Sequence, residues 1–154
     1  MTDQRNPADV VTVLVEQVLE RAATWIAWDG EPRAVDDRIY TPQKAIRRVA
    51  DHLIDHLAEI EARVAGVATI PDHWHASAIT TAADLAPFTA EDLDEARSRL
   101  TRLAQLYEIR LGALTPDQLD HRDAGAWTPR EIALHLEGSL YYAEAVGFLG
   151  ADSR

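Results

Sequence analysis

Four stretches of the chain place apolar residues at helical spacing, and each opens on a recognisable start signal. Asn6-Pro7-Ala8-Asp9 supplies a cap, a proline at the first helical position and an acid at the positive end of the dipole. Val11, Leu14, Val15, Val18, Leu19, Ala22, Trp25 and Ile26 then recur at i, i+3, i+4 and i+7, which predicts a first helix ending before Asp29-Gly30. Thr41-Pro42 opens a second helix whose stripe is Ile46, Val49, Ala50, Leu53, Leu57, Ile60 and Val64, with Asp51, Asp55 and Glu59 away from it. Gly66 closes it in a left-handed cap, giving a helix roughly 35 Å long. Thr89 caps a third helix with the inner face Leu93, Ala96, Leu100, Leu103, Ala104, Tyr107 and Leu111. Thr128-Pro129-Arg130-Glu131 is a capping box, and the fourth helix is predicted to run unbroken through IALHLEGSLYYAEAVGFL.

Between these helices the pattern lapses. Glu31 to Tyr40 has no sustained period and reads as a loop. Val67 to Pro87 is a long connection between the second and third helices, carrying Trp74 flanked by His73 and His75. Connections of this length inside a compact domain are uncommon and tend to be functional or mobile.

The chemistry-bearing residues are the histidines of the second and fourth helices. His52 and His56 are four apart, so their Cβ atoms lie roughly 5–6 Å apart on one face, a spacing from which two imidazoles can reach one metal ion. His56 sits at the edge of the apolar stripe and His52 one step further out. The plainer alternative is a solvated or core-capping face. A zinc-protease motif is excluded, since the residue after the first histidine is Leu53 and not the glutamate that motif needs. On the fourth helix, Ile132, His135, Leu136, Ser139, Leu140, Tyr142, Ala143 and Val146 share a broad face, so His135 is expected to point inward or into a cleft. A lone inward histidine is usually satisfied by a carbonyl or hydroxyl, and the interest of His135 is that it can meet His52 and His56 across a helix interface.

Composition narrows the chemistry further. With 154 residues the chain has the size of one domain, and folding at this length buries about 68–70% of the surface of the unfolded chain. The net charge is −11, spread along the helices, which argues against nucleic-acid binding. The absence of cysteine removes disulfides, thiolate zinc ligands and a protein thiol nucleophile together. Any metal must be held by histidine and carboxylate, and any thiol must come from the substrate. No ExxH motif of di-iron bundles and no glycine-rich phosphate loop occurs. The polar N-terminus is not a secretory signal and no apolar run approaches a membrane span, so a cytoplasmic protein without membrane partners is expected.

Four long helices, HxxxH on the second, a long second-to-third connection and a last helix opening WTPREIALHL together resemble the DinB-like superfamily, most specifically over Trp127 to Tyr142. That family includes thiol-dependent transferases and isomerases that use mycothiol, bacillithiol or glutathione. The resemblance implies an all-α fold, a DinB-like four-helix bundle forming one domain over residues 1–154, commonly a homodimer, with a divalent metal held by three histidines.

The family's usual pattern takes one histidine from the second helix and an HxxxH pair from the last. Here His135 matches the first of that pair, the second position is Ser139, and the second helix offers both His52 and His56. The favoured expectation is an inverted site in which His52, His56 and His135 are the metal ligands. The alternatives are completion by His73, His75 or a carboxylate, and loss of the metal. Zinc or nickel is the expected ion, with iron and manganese also suited to histidine and water ligation. The activity implied is transfer or use of a low-molecular-weight thiol on a small electrophilic substrate, with Asp51, Asp55, Tyr142 and Trp74 as candidates for supporting roles. The rival is a metal-free helical module that dimerises or binds a small apolar ligand.

Overall fold

The computed structural model describes residues 3–71 and 78–150. The fold is predominantly helical, with α1 (Pro7–Ala22), α2 (Pro42–Ala65), α3 (Ala90–Ala113), a single turn α4 (Pro116–Leu119), α5 (Pro129–His135) and α6 (Leu140–Val146). The start signals act as the sequence implies. The side chains of Asn6, Thr41, Thr89 and Thr128 accept hydrogen bonds from backbone N–H groups of the first turns of α1, α2, α3 and α5, and Gly66 closes α2 at φ 70°.

One apolar core runs between the helices. α1 packs most extensively on α3, and also on α5 and α6, while α2 packs on α3 and α6. All seven residues of the anticipated α3 face are buried, and so are Val11, Leu14, Val15, Val18, Ala22 and Trp25 on the α1 side. Along α2, Ile46, Val49, Ala50, Leu53 and Ile60 enter the core, whereas Leu57 is half-buried and Val64 is exposed near the helix end.

Three local expectations are corrected. α1 stops at Ala22 because the Thr24 hydroxyl donates to the Arg21 carbonyl (2.7 Å), and a 3₁₀ turn over Trp25–Ala27 follows. The turn buries Trp25, whose indole donates to the Gly147 carbonyl (2.7 Å), and leaves Ile26 exposed.

The segment read as a loop before α2 contains a hairpin of β1 (Arg33–Val35) and β2 (Arg38–Tyr40), paired antiparallel with Arg33 opposite Tyr40. Strands of three residues are too short to reveal a period. Asp36 makes the turn at φ 54°, a region that aspartate tolerates better than most residues. The hairpin packs on α6, and buried Tyr40 stacks against Tyr142 at 6.1 Å between centroids.

The last helix is not continuous. A 3₁₀ segment, Leu136–Ser139, separates α5 from α6. Gly138 sits within it, where the low helix propensity of glycine tolerates the tighter winding. Ser139, on the face expected to point inward, is completely buried.

The later part of the long connection is pinned to the start of α2. The carboxylate of buried Asp84 accepts from Arg47 Nε (3.0 Å), Arg47 Nη2 (2.7 Å) and the Thr81 N–H (2.8 Å), and Lys44 Nζ donates to Thr80 Oγ1 (2.9 Å). At the other end of α2, Arg63 binds the Asp123 carboxylate (3.0 Å) and the carbonyls of His121 and Trp127. The entry to α5 is thereby tied to α2, which sets the register between the histidines of the two helices.

Candidate metal centre

His52 and His56 project from successive turns of α2, and His135 from the last residue of α5. Their potential ligand atoms all lie within 4.8 Å of one another. His52 Nε2 and His135 Nε2 are 3.2 Å apart. His52 and His56 are buried, with 6% and 8% exposure, so His52 is not the outlying member of the pair that its position on the helix wheel implies. His135, expected to point inward or into a cleft, is exposed at the end of α5 and meets His52 and His56 there. The Trp127 ring lies beside it, 4.5 Å between centroids.

Two of the three imidazoles are oriented through Nδ1. His52 Nδ1 is hydrogen-bonded to the Ser139 hydroxyl, and His56 Nδ1 to the Glu59 carboxylate at 2.8 Å. Metal-binding histidines commonly engage their second ring nitrogen in this way, which fixes the tautomer and aims the other nitrogen at the ion. Nε2 is then the nitrogen that His52 and His56 offer. Burial and the like charges of His56, His135 and Arg48 push the His52 imidazole down to about 3, so it is neutral near pH 7, the form that ligates a metal.

The donor set fits a divalent ion. Tetrahedral ligation at about 2.0–2.1 Å requires nitrogens roughly 3.3 Å apart. The His52–His135 pair already meets this, and His56 reaches it through modest side-chain rotation from a separation within 4.8 Å. Two buried imidazoles and one at the rim leave the solvent side for a further ligand, as in sites where zinc keeps an open position.

A cavity of about 400 Å³ adjoins His56, lined also by Asp55, Glu59, Ala62 and the residues after α2 from Val67 to Pro71. On the opposite side of His52, one turn earlier on α2, lies Arg48, whose guanidinium donates to the Tyr142 hydroxyl (2.9 Å). The Tyr142 ring is 6.5 Å from the His52 ring and 4.5 Å from the Arg48 Cζ.

Of the supporting residues weighed from sequence, Tyr142 and Asp55 thus border the site, and Asp51 sits beside Arg47 at 4.0 Å. His73, Trp74 and His75 lie outside the described residues. Helix spacing alone does not mark Glu59, Arg48, or Ser139 as a partner of a histidine. The signal for Arg48 was present: Lys44, Arg48, His52 and His56 recur every four residues and form one buried polar stripe along α2.

No protein-family model, curated protein or solved structure matches the chain. No helix among the described residues is long and apolar enough to cross a membrane.

Proposed function

We propose that the chain is a divalent-metal-dependent enzyme of DinB-like type, in which His52, His56 and His135 hold the ion and a low-molecular-weight thiol is used on a small electrophilic substrate. The observation that carries this reading is the convergence of three imidazoles, two of them oriented through Nδ1 by Ser139 and Glu59. Hydrogen bonds at Nδ1 leave Nε2 of His52 and His56 as the nitrogens available to an ion, which is the arrangement a ligating histidine needs.

A bound zinc or nickel ion supplies Lewis acidity and lowers the pKa of a coordinated thiol or water, a nucleophile that a cysteine-free chain cannot provide from its own residues. The chain's contribution is positional. Buried His52 and His56 fix two coordination directions, His135 adds the third from α5, and the Trp127 ring covers one side of His135. The cavity beside His56 offers room for the part of a substrate that reaches the ion. Ser139 takes the place of the fourth-helix histidine of the DinB-like pattern, and its loss as a ligand is offset by His56 on α2.

The test is the metal content of untagged protein purified without chelator, for wild type and for His52→Ala and His135→Ala. Near one equivalent in wild type and loss in both variants is expected. A second reading, a metal-free binding module, is favoured by the direct His52–His135 contact at 3.2 Å, in which the imidazoles pair with each other. Absence of metal together with no thermal stabilisation on adding zinc or nickel would select that reading. Uptake of metal opens the way to assaying thiol transfer.

A further inference from the structure

We propose that Arg48 anchors a carboxylate of the small molecule taken by the three-histidine site. The proposal deepens the metal-site reading by naming a chemical class of ligand, and it rests on that reading only for what lies beside the carboxylate.

Arg48 is 3% exposed. Its Nη2 donates to the Tyr142 hydroxyl at 2.9 Å, and its Nε and Nη1 are buried with no hydrogen-bond partner among the described residues. The Tyr142 ring lies over the guanidinium, which compensates part of its charge through the ring face. No carboxylate of the described residues forms an ion pair with it. Asp51, three residues on, feels its charge at longer range, and Asp84 is taken by Arg47. Folded proteins seldom keep a buried cation with unspent donors, because the desolvation of charge and N–H groups goes uncompensated.

Position identifies what would compensate it. Arg48 and His52 are one helical turn apart, with Cβ atoms about 5–6 Å from each other, and Tyr142 borders both. An anionic group at Arg48 would therefore belong to a molecule that also reaches the histidines. A single guanidinium balances a single negative charge. A phosphate dianion would bring a second charge toward Asp51, Asp55 and Glu59 on the same helix, so the structure favours a monocarboxylate. Lys44, the next cation along the stripe, already donates to the Ile39 carbonyl (2.8 Å) and to Thr80 (2.9 Å).

The experiment follows the Arg48 Nε–H resonance by NMR while propionate, propionamide or inorganic phosphate is titrated into zinc-free and zinc-loaded protein. Propionate is expected to move it saturably, with a dissociation constant on the order of 1–10 mM, and propionamide to leave it unmoved. Arg48→Lys is expected to weaken propionate binding about tenfold or more, since an ammonium cannot reproduce the planar donor set. No movement with propionate, equal movement with propionamide, or movement with phosphate alone would overturn the assignment, and the wild-type titration decides this even if the variant fails to fold. With zinc bound, 3-mercaptopropionate moving the resonance at lower concentration than propionate assigns the carboxylate to the thiol. Movement by propionate alone assigns it to the other substrate. If the protein takes up no zinc, the metal reading falls while the zinc-free titration still decides the role of Arg48.

Discussion

Replacing Ser139 by alanine removes one oxygen from a position with no solvent exposure. That oxygen is the Nδ1 partner of His52, whose own exposure is 6%, so water cannot readily take its place. Two costs follow, and they are separable. In the metal-free protein, losing a hydrogen bond to a buried polar group costs about 1–3 kcal/mol. For a chain of this size that lowers the melting temperature by about 2–4 °C per kcal/mol. In the metal-bound protein the hydroxyl would additionally hold the His52 ring in the orientation that directs Nε2 to the ion. Loss of such an orienting partner typically weakens metal affinity about 10–100-fold, or roughly 1.4–2.8 kcal/mol.

The assay is competition for zinc against a chromophoric chelator, run beside thermal unfolding with and without zinc. Ser139→Ala should bind zinc measurably but about 10–100-fold more weakly than wild type, whereas His52→Ala should lose the site outright. In a His52→Ala background the serine substitution should cost little further stability, because its partner is gone. Zinc affinity within about twofold of wild type would refute the orienting role and leave Ser139 a packing residue.

Two further predictions concern stability. Burial holds the folded-state pKa of His52 at about 3 against an unfolded value near 6.5, so below pH 6.5 the unfolded chain binds the extra proton. Metal-free protein should keep its full stability above about pH 6.5 and lose up to about 1.4 kcal/mol per pH unit toward pH 3, a slope that urea titrations of His52→Gln should show reduced and that equal slopes would contradict. The buried Tyr107 hydroxyl donates to the Leu53 carbonyl on α2 at 2.6 Å, so Tyr107→Phe should lower the denaturation free energy by about 0.5–1.5 kcal/mol without changing zinc affinity. A change in affinity would mean that this bond also positions the histidines.

What could be read from the chain follows from how local each determinant is. Caps such as Thr41, Thr89 and Thr128 act within one turn, and the face of α3 repeats over about five turns, so both are written in short-range spacing. The β1–β2 hairpin and the break at Leu136–Ser139 are not, because three-residue strands and a four-residue change of pitch leave no period. Both depend on packing between α6, Tyr40 and α2 that arises only in the folded chain.

The same distinction governs the site. The His52–His56 spacing is local and visible, and the resemblance over Trp127 to Tyr142 marks His135, but the exposure of that ring is visible only in the folded chain. Ser139 illustrates the limit most clearly. Compared with a pattern that has histidine there, it reads as a missing ligand. In the folded chain its hydroxyl is buried against His52 Nδ1, so the position still contacts the same cluster. The stripe Lys44–Arg48–His52–His56 was equally visible but ambiguous, since a polar row on a helix is a solvated face unless another element covers it. Here α6, the hairpin and the connection before α3 cover it, and residues that read as surface become buried groups whose charge and donors need partners. Lys44 meets those needs through Ile39 and Thr80, and the Nδ1 atoms of His52 and His56 through Ser139 and Glu59, whereas the Nε and Nη1 donors of Arg48 have no partner among the described residues and point to a ligand.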